Sequence, residues 1–329
     1  MERYFDLQGA SLAVTAAEPA LLDLYGKVFD GIGFDTPPAP VCFAVSLEAG
    51  EPEDLPEGAT VLYDGPVLSE GRCIAAESDG ELIQLFPGKA SLRMSTSERR
   101  ATLIVAPDER RRVVMNLGMM VLEAALRASG QVPIHAAGLT LEGQIIMVIG
   151  QSGAGKTTTA LALCGAGFGL CSDDLMICRA VGDSVTAWGL PRSLKVHRRS
   201  AAMLPWTAPL LVGNWSDEDE KALPLAALRG AVRVEDSRPR PVMAIGLLER
   251  TRSDRSALGA VGQAEILAIA AADHIRTSRQ GVLPGHAGRL AALAAIMRRL
   301  PAHRIMAGTD PTDLGPVFAA GLTPAEAQR

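Results

Sequence analysis

The spacing of apolar residues along the chain changes character near residue 105. Before it, short runs such as VCFAVSL, TVLYDG, ELIQLF and ATLIVA predict strands. They are separated by DTPPAP and GEPEDLPEG, where proline fixes φ and removes donors, so both read as loops. After it, Val114, Leu117, Val121 and Leu126 recur at helical spacing, predicting a helix from Pro107 and Asp108 to about Ser129, ended by Gly130. Next, VPIHAAGLTLEGQIIMVIG reads as two strands joined at Glu142 and Gly143. A helix from Lys156 to about Cys164 and a strand FGLCS follow. SVTAWGL, RPVMAIGLLER and HRIMAG predict further strands, with helices near 262–279 and 286–299 and a short one in the tail. The pattern predicts an α/β chain of two domains: a strand-rich accessory or substrate-selecting domain over 1–105, and a domain over 106–329 built on a mixed sheet.

Composition narrows the function classes. With 329 residues, 48% hydrophobic and 21% charged, the chain is an ordinary globular one. Its net charge of -5 argues against a nucleic-acid partner, and 4% aromatics leave little for stacking bases. The five cysteines include no C-x-x-C and three flank residues 150–157, which suits reduced, buried thiols. The N-terminus, MERYFDLQGASLAV, lacks the basic and apolar runs of a signal peptide. No stretch has the length and apolarity of a membrane span, so the expectation is a cytoplasmic protein without a membrane partner. Oligomeric state is open, a homo-oligomer included. NWSDEDEKALP (214–224) reads as a mobile acidic loop, and the arginine run 110–112 as a solvated face.

The chemistry is concentrated in GQSGAGKTTTALALCGAGFGLCSDD. Gly150-x-x-x-x-Gly155-Lys156-Thr157 is a Walker A pattern between an apolar strand and a helix. Gly150, Gly153 and Gly155 are expected to let successive N–H groups converge on an anion, with Ser152, Ala154 and Thr158 completing the cradle. Lys156 would reach the β- and γ-phosphates, and the Thr157 hydroxyl would ligate Mg²⁺. A crossover laying FGLCS parallel to IIMVI would end both strands at one edge, bringing Asp173 and Asp174 to the phosphate. Strand alternation would then send the two carboxylates to opposite faces and to different tasks. A hairpin turning at Glu142 and Gly143 sets His135 opposite Gly150. In GLPRSLKVHRR, Arg192 and Lys195 are the expected phosphate or substrate cations beside Pro191. His274, His286 and His303 lack ligand-like spacing and read as structural.

HAAGL followed by GQSGAGKTTTALALCGAGFGLCSDDLMI resembles the core of the HPr kinase/phosphorylase family over about residues 131–180. The resemblance implies a P-loop kinase core similar to phosphoenolpyruvate carboxykinase. It also implies ATP or GTP with Mg²⁺, Asp173 as the base, Asp174 near the metal, and His135 near the base. The family's E-x-R-G signature, tied to dephosphorylation, is replaced here by GLPRSLKVHRR. The chain is thus more similar to divergent members that phosphorylate a serine on a peptide, such as a lasso peptide. The leading expectation is a P-loop Ser/Thr-type kinase acting on a peptide or small protein, without phosphorylase activity. A small-molecule hydroxyl kinase and a nucleotide-gated regulatory binding protein are the alternatives.

Overall fold

The computed structural model describes residues 1–26, 32–67, 71–107, 110–281 and 286–322. The chain is mixed α/β and divides into two compact units. One comprises Met1–Val132 with His274–Arg289, the other Pro133–Asp273 with Leu290–Arg329.

The first unit is built on a nine-stranded mixed sheet. Its strands are β1 (Glu2–Asp6), β2 (Ser11–Ala16), β3 (Gly33–Phe34), β4 (Val41–Ala49), β5 (Thr60–Val67), β6 (Gly71–Ser78), β7 (Glu81–Phe86), β8 (Ala90–Ser95) and β9 (Arg100–Val105). Their order is β3-β1-β2-β4-β9-β8-β7-β6-β5, with β2, β4 and β9 parallel to one another. Helices α1 (Pro19–Gly26) and α2 (Arg110–Ala128) pack on this sheet and on each other. The sequence reading placed α2 in the second domain. Its stripe of Val114, Leu117, Val121 and Leu126 is buried against β4, β8 and β9, and so the boundary falls after it. Tyr25 of α1 is fully buried, and that burial drives its phenol pKa far upward.

The second unit carries β10 (Val132–His135), β11 (Ala137–Leu141), β12 (Gln144–Ile149), α3 (Lys156–Gly165), β13 (Gly169–Ser172), β14 (Leu175–Val181) and β15 (Ser184–Gly189). There follow β16 (Leu194–His197), α4 (Arg198–Met203), β17 (Glu220–Leu223), α5 (Leu225–Arg229), β18 (Arg240–Arg250) and β19 (Ala257–Ala260). The chain then forms α6 (Gln263–Gly281) and α7 (His286–Met297), of which residues 274–281 and 286–289 belong to the first unit, and then β20 (Ala302–Ala307) and α8 (Leu314–Gly321) of the second. The main sheet runs β10-β14-β15-β18-β12-β11-β13, with β20 and β19 added beside β18. In β12 every residue after Gln144 is buried, as expected of a strand covered on both faces. α3 is buried from Thr158 to Cys164, so it is a core helix, and only its first turn lines open space.

β13 does not lie against β12, because β11 is inserted between them and pairs antiparallel with both. Two antiparallel steps restore the direction, so β13 runs parallel to β12 and the two end at one edge. β18 pairs parallel with β12 on its other side and ends there too. All five cysteines are free and buried, and burial holds the thiols of Cys73, Cys164, Cys171 and Cys178 up at about 12, far from nucleophilic. Among the described residues no helix is long and apolar enough to cross a membrane. The side chains of the arginine run 110–112, of Asp108, and of His274 and His286 lie outside the described residues.

Candidate active site

At the shared strand edge a cleft of about 650 Å³ opens in the second unit. The P-loop forms one wall. Gly153 and Gly155 take φ of 79° and 102°, a region that side chains with a Cβ rarely adopt. Gly150 has no positive φ; a Cβ there would stand 3.0 Å from the Leu248 carbonyl, so its role is close packing against β18. Gly155 is the N-cap of α3, and no side chain caps that end. The first-turn N–H groups therefore face the cleft with the positive end of the helix dipole. Lys156 Nζ donates to the Gly150 carbonyl at 2.9 Å, so the ammonium is folded over its own loop.

Asp173 and Asp174 diverge, as expected, but for another reason. β13 ends at Ser172, and the chain bends through both aspartates before β14 starts at Leu175, where it pairs with β15 rather than continuing β13. A bend, not strand alternation, separates the carboxylates. Asp173 turns toward the P-loop, where Thr157 Oγ1 donates to its Oδ2 at 2.8 Å. Its Oδ1 is shut off from solvent and has no hydrogen-bond partner among the described residues. Burial raises the carboxyl to about 7; the Thr157 hydrogen bond and the Lys156 charge oppose that shift, and the Asp174 charge adds to it. Asp174 is exposed toward the cleft mouth, with Arg192 Nη1 at 3.1 Å from its Oδ2 and His135 Nε2 at 3.4 Å from its Oδ1.

The hairpin register is the expected one, Leu141 opposite Gln144 through to Ala137 opposite Val148. It stops there. Ala136 breaks the strand, and His135 belongs to β10, which pairs with β14. His135 is therefore not laddered to Gly150, yet β10 and β14 still deliver it to the same cleft, against Asp174. The resemblance implied Asp173 as its carboxylate; the described pair is with Asp174.

No family model and no curated protein matches this chain. Ser152, Gly153, Gly155, Lys156 and Thr157 all line it. Thr158 lines it too, but its hydroxyl is buried and shares a 2.6 Å hydrogen bond with Ser200 of α4, a packing role. Ala154 contributes its carbonyl rather than its side chain, as the acceptor of Arg250 Nε at 3.0 Å. Lys195 reaches the wall with its ammonium exposed and 3.5 Å from Glu220. Arg192 and Lys195 thus both have carboxylate partners. NWSDEDEKALP is tied down: Arg198 and Lys221 each lie over the Trp215 ring, and Arg198 pairs with Asp219. The sequence reading missed Arg250, the last residue of β18.

The donor set fits a magnesium nucleotide. The Thr157 hydroxyl and Asp173 are hard oxygen donors side by side, and one carboxylate oxygen still lacks a partner. An open helix N-terminus and a lysine adjoin them. Together they could hold Mg²⁺ with phosphate oxygens completing its shell.

Proposed function

We propose that the second unit is a P-loop kinase core of the HPr kinase/phosphorylase type. It transfers the terminal phosphoryl group of ATP, with Mg²⁺, to a Ser or Thr hydroxyl of a peptide or small protein, and it has no phosphorylase activity. The observation that carries the reading is the hydrogen bond from the Thr157 hydroxyl to Asp173 at the head of a Walker A helix. Neither a structural turn nor a phosphate-binding helix end alone calls for a buried carboxylate on that hydroxyl.

Under this reading Lys156 leaves the Gly150 carbonyl and grips the β- and γ-phosphate oxygens. Thr157 and Asp173 would hold Mg²⁺, which would supply charge neutralisation for the phosphate oxygens. The acceptor oxygen attacks the terminal phosphorus in line with the bond to the leaving diphosphate, and its proton passes to Asp174. His135 orients that carboxylate from one side and Arg192 from the other. This exchanges the roles implied by the family resemblance, in which Asp173 was the base. Support comes from exposure as well as contacts: Asp174, at 56% exposed, is within reach of an acceptor entering from solvent, and Asp173 is beneath the loop.

The test is transfer of labelled γ-phosphate to a serine-containing peptide library and to a panel of metabolites. Labelled peptide supports the reading. A labelled metabolite with no labelled peptide would replace the acceptor class, and nucleotide binding with neither product would point to a regulatory binding protein.

A further inference from the structure

We propose that Arg250 is a nucleotide phosphate-binding residue of the cleft, a second cation for the phosphate chain besides Lys156. The inference rests on the kinase reading and adds a residue to it. β12 and β18 are parallel, with Ile149 level with Leu247. Extending that register beyond the end of β12 sets Arg250, the last residue of β18, level with Ser152 in the loop. The side chain follows the same course. Its Nε donates to the Ala154 carbonyl at 3.0 Å, and a Cβ placed on Gly155 would come within 2.9 Å of its Nη2. The guanidinium therefore lies against the backbone just before Lys156, in the space that the missing Cβ of Gly155 leaves open.

One donor is committed to the loop. The two Nη groups have neither a carboxylate nor another hydrogen-bond partner among the described residues, and the side chain is exposed into the cleft. This sets Arg250 apart from Arg192 and Lys195, whose charges already face Asp174 and Glu220. A guanidinium anchored by Nε and open at both Nη atoms is preorganised for two parallel hydrogen bonds to phosphate oxygens. The class of ligand it selects is a nucleoside di- or triphosphate over a nucleoside.

The experiment measures Kd for ATP, ADP and adenosine, at low and at raised salt, for the wild type, R250Q, R250K and K156A. R250Q keeps an amide donor for the Ala154 carbonyl but removes the charge. The expected result is ADP and ATP binding weakened about tenfold or more in R250Q, the size of a lost hydrogen bond to a charged group. Adenosine binding should be unchanged, R250K intermediate, and the salt dependence of ADP affinity shallower than in the wild type. Unchanged ADP affinity in R250Q, beside a loss in K156A, would overturn the role of Arg250 and leave the kinase reading standing. Equal losses for adenosine and ADP would overturn it in favour of a base-stacking or loop-bracing role. A wild type that binds no nucleotide would remove both.

Discussion

At the scale of single residues, the site separates two carboxylates that the chain places side by side. Under the proposed kinase reading, Lys156→Ala should abolish phosphoryl transfer and weaken ATP binding, since the same ammonium would bind the phosphates and stabilise the transition state. Calorimetry and a γ-phosphate transfer assay check this, and full activity in the variant would remove the P-loop reading. Asp174→Asn should keep nucleotide affinity and lower kcat by about 10²–10⁴-fold, the usual worth of a general base. His135→Ala should lower kcat in the same direction with little effect on nucleotide affinity. Asp173→Asn should raise the Mg²⁺ concentration needed for half-maximal rate. If Asp173→Asn cuts kcat at saturating Mg²⁺ and Asp174→Asn shifts the Mg²⁺ requirement, the resemblance assigned the roles correctly and the contacts described here misassign them. The residue types of this site were legible in the chain, because Walker A spacing and a carboxylate pair are local patterns. Their partners were not. Which aspartate meets His135 depends on where β10 leaves the hairpin, and that is settled by pairing with β14, a strand later in the chain.

At the scale of elements, the hairpin β11–β12 carries the P-loop and is closed by two residues. Glu142 and Gly143 have φ of 51° and 81°, both positive as in a type I′ turn. Glycine adopts this readily and glutamate does not; asparagine tolerates it better. Glu142→Asn should therefore stabilise the chain by about 0.5 kcal/mol or more, within the range of single local optimisations. Urea unfolding curves would show a higher midpoint at unchanged slope, and a lower midpoint would mean that Glu142 contributes something the turn geometry does not include. The hairpin's register was readable because a two-residue turn leaves no freedom in pairing. The strands β4, β9 and β18 were readable from their apolar runs. The short β16 and β17 were not, since four residues carry little periodicity. The insertion of β11 between β12 and β13, and the parallel pairing that brings Arg250 to the loop, are non-local and leave no trace in any window of the chain.

At the scale of the whole molecule, one buried group couples the site to folding. The folded chain holds the Asp173 carboxyl at about 7, chiefly through burial, whereas an unfolded aspartate titrates near about 3.9. A folded pKa above the unfolded one means that the folded state keeps the proton more tightly. The stabilising contribution of that proton is complete below about pH 4 and is lost as pH rises toward 7. The unfolding free energy of the nucleotide-free, metal-free wild type should thus fall across pH 4–7 relative to Asp173→Asn. The difference should level off above that window. Subtracting the variant removes the titrations that the two proteins share. Parallel stability curves for the two proteins would show that Asp173 titrates at an ordinary carboxylate value. Under the proposed reading magnesium nucleotide should act in the opposite sense, because it would bind the charged carboxylate. Its stabilisation of the wild type should grow from pH 5 to 7, with a proton released on binding in that range. Calorimetry in two buffers of different ionisation enthalpy would detect that proton, and the release should vanish in Asp173→Asn. A release that persists in the variant would assign the coupling to another group in the cleft.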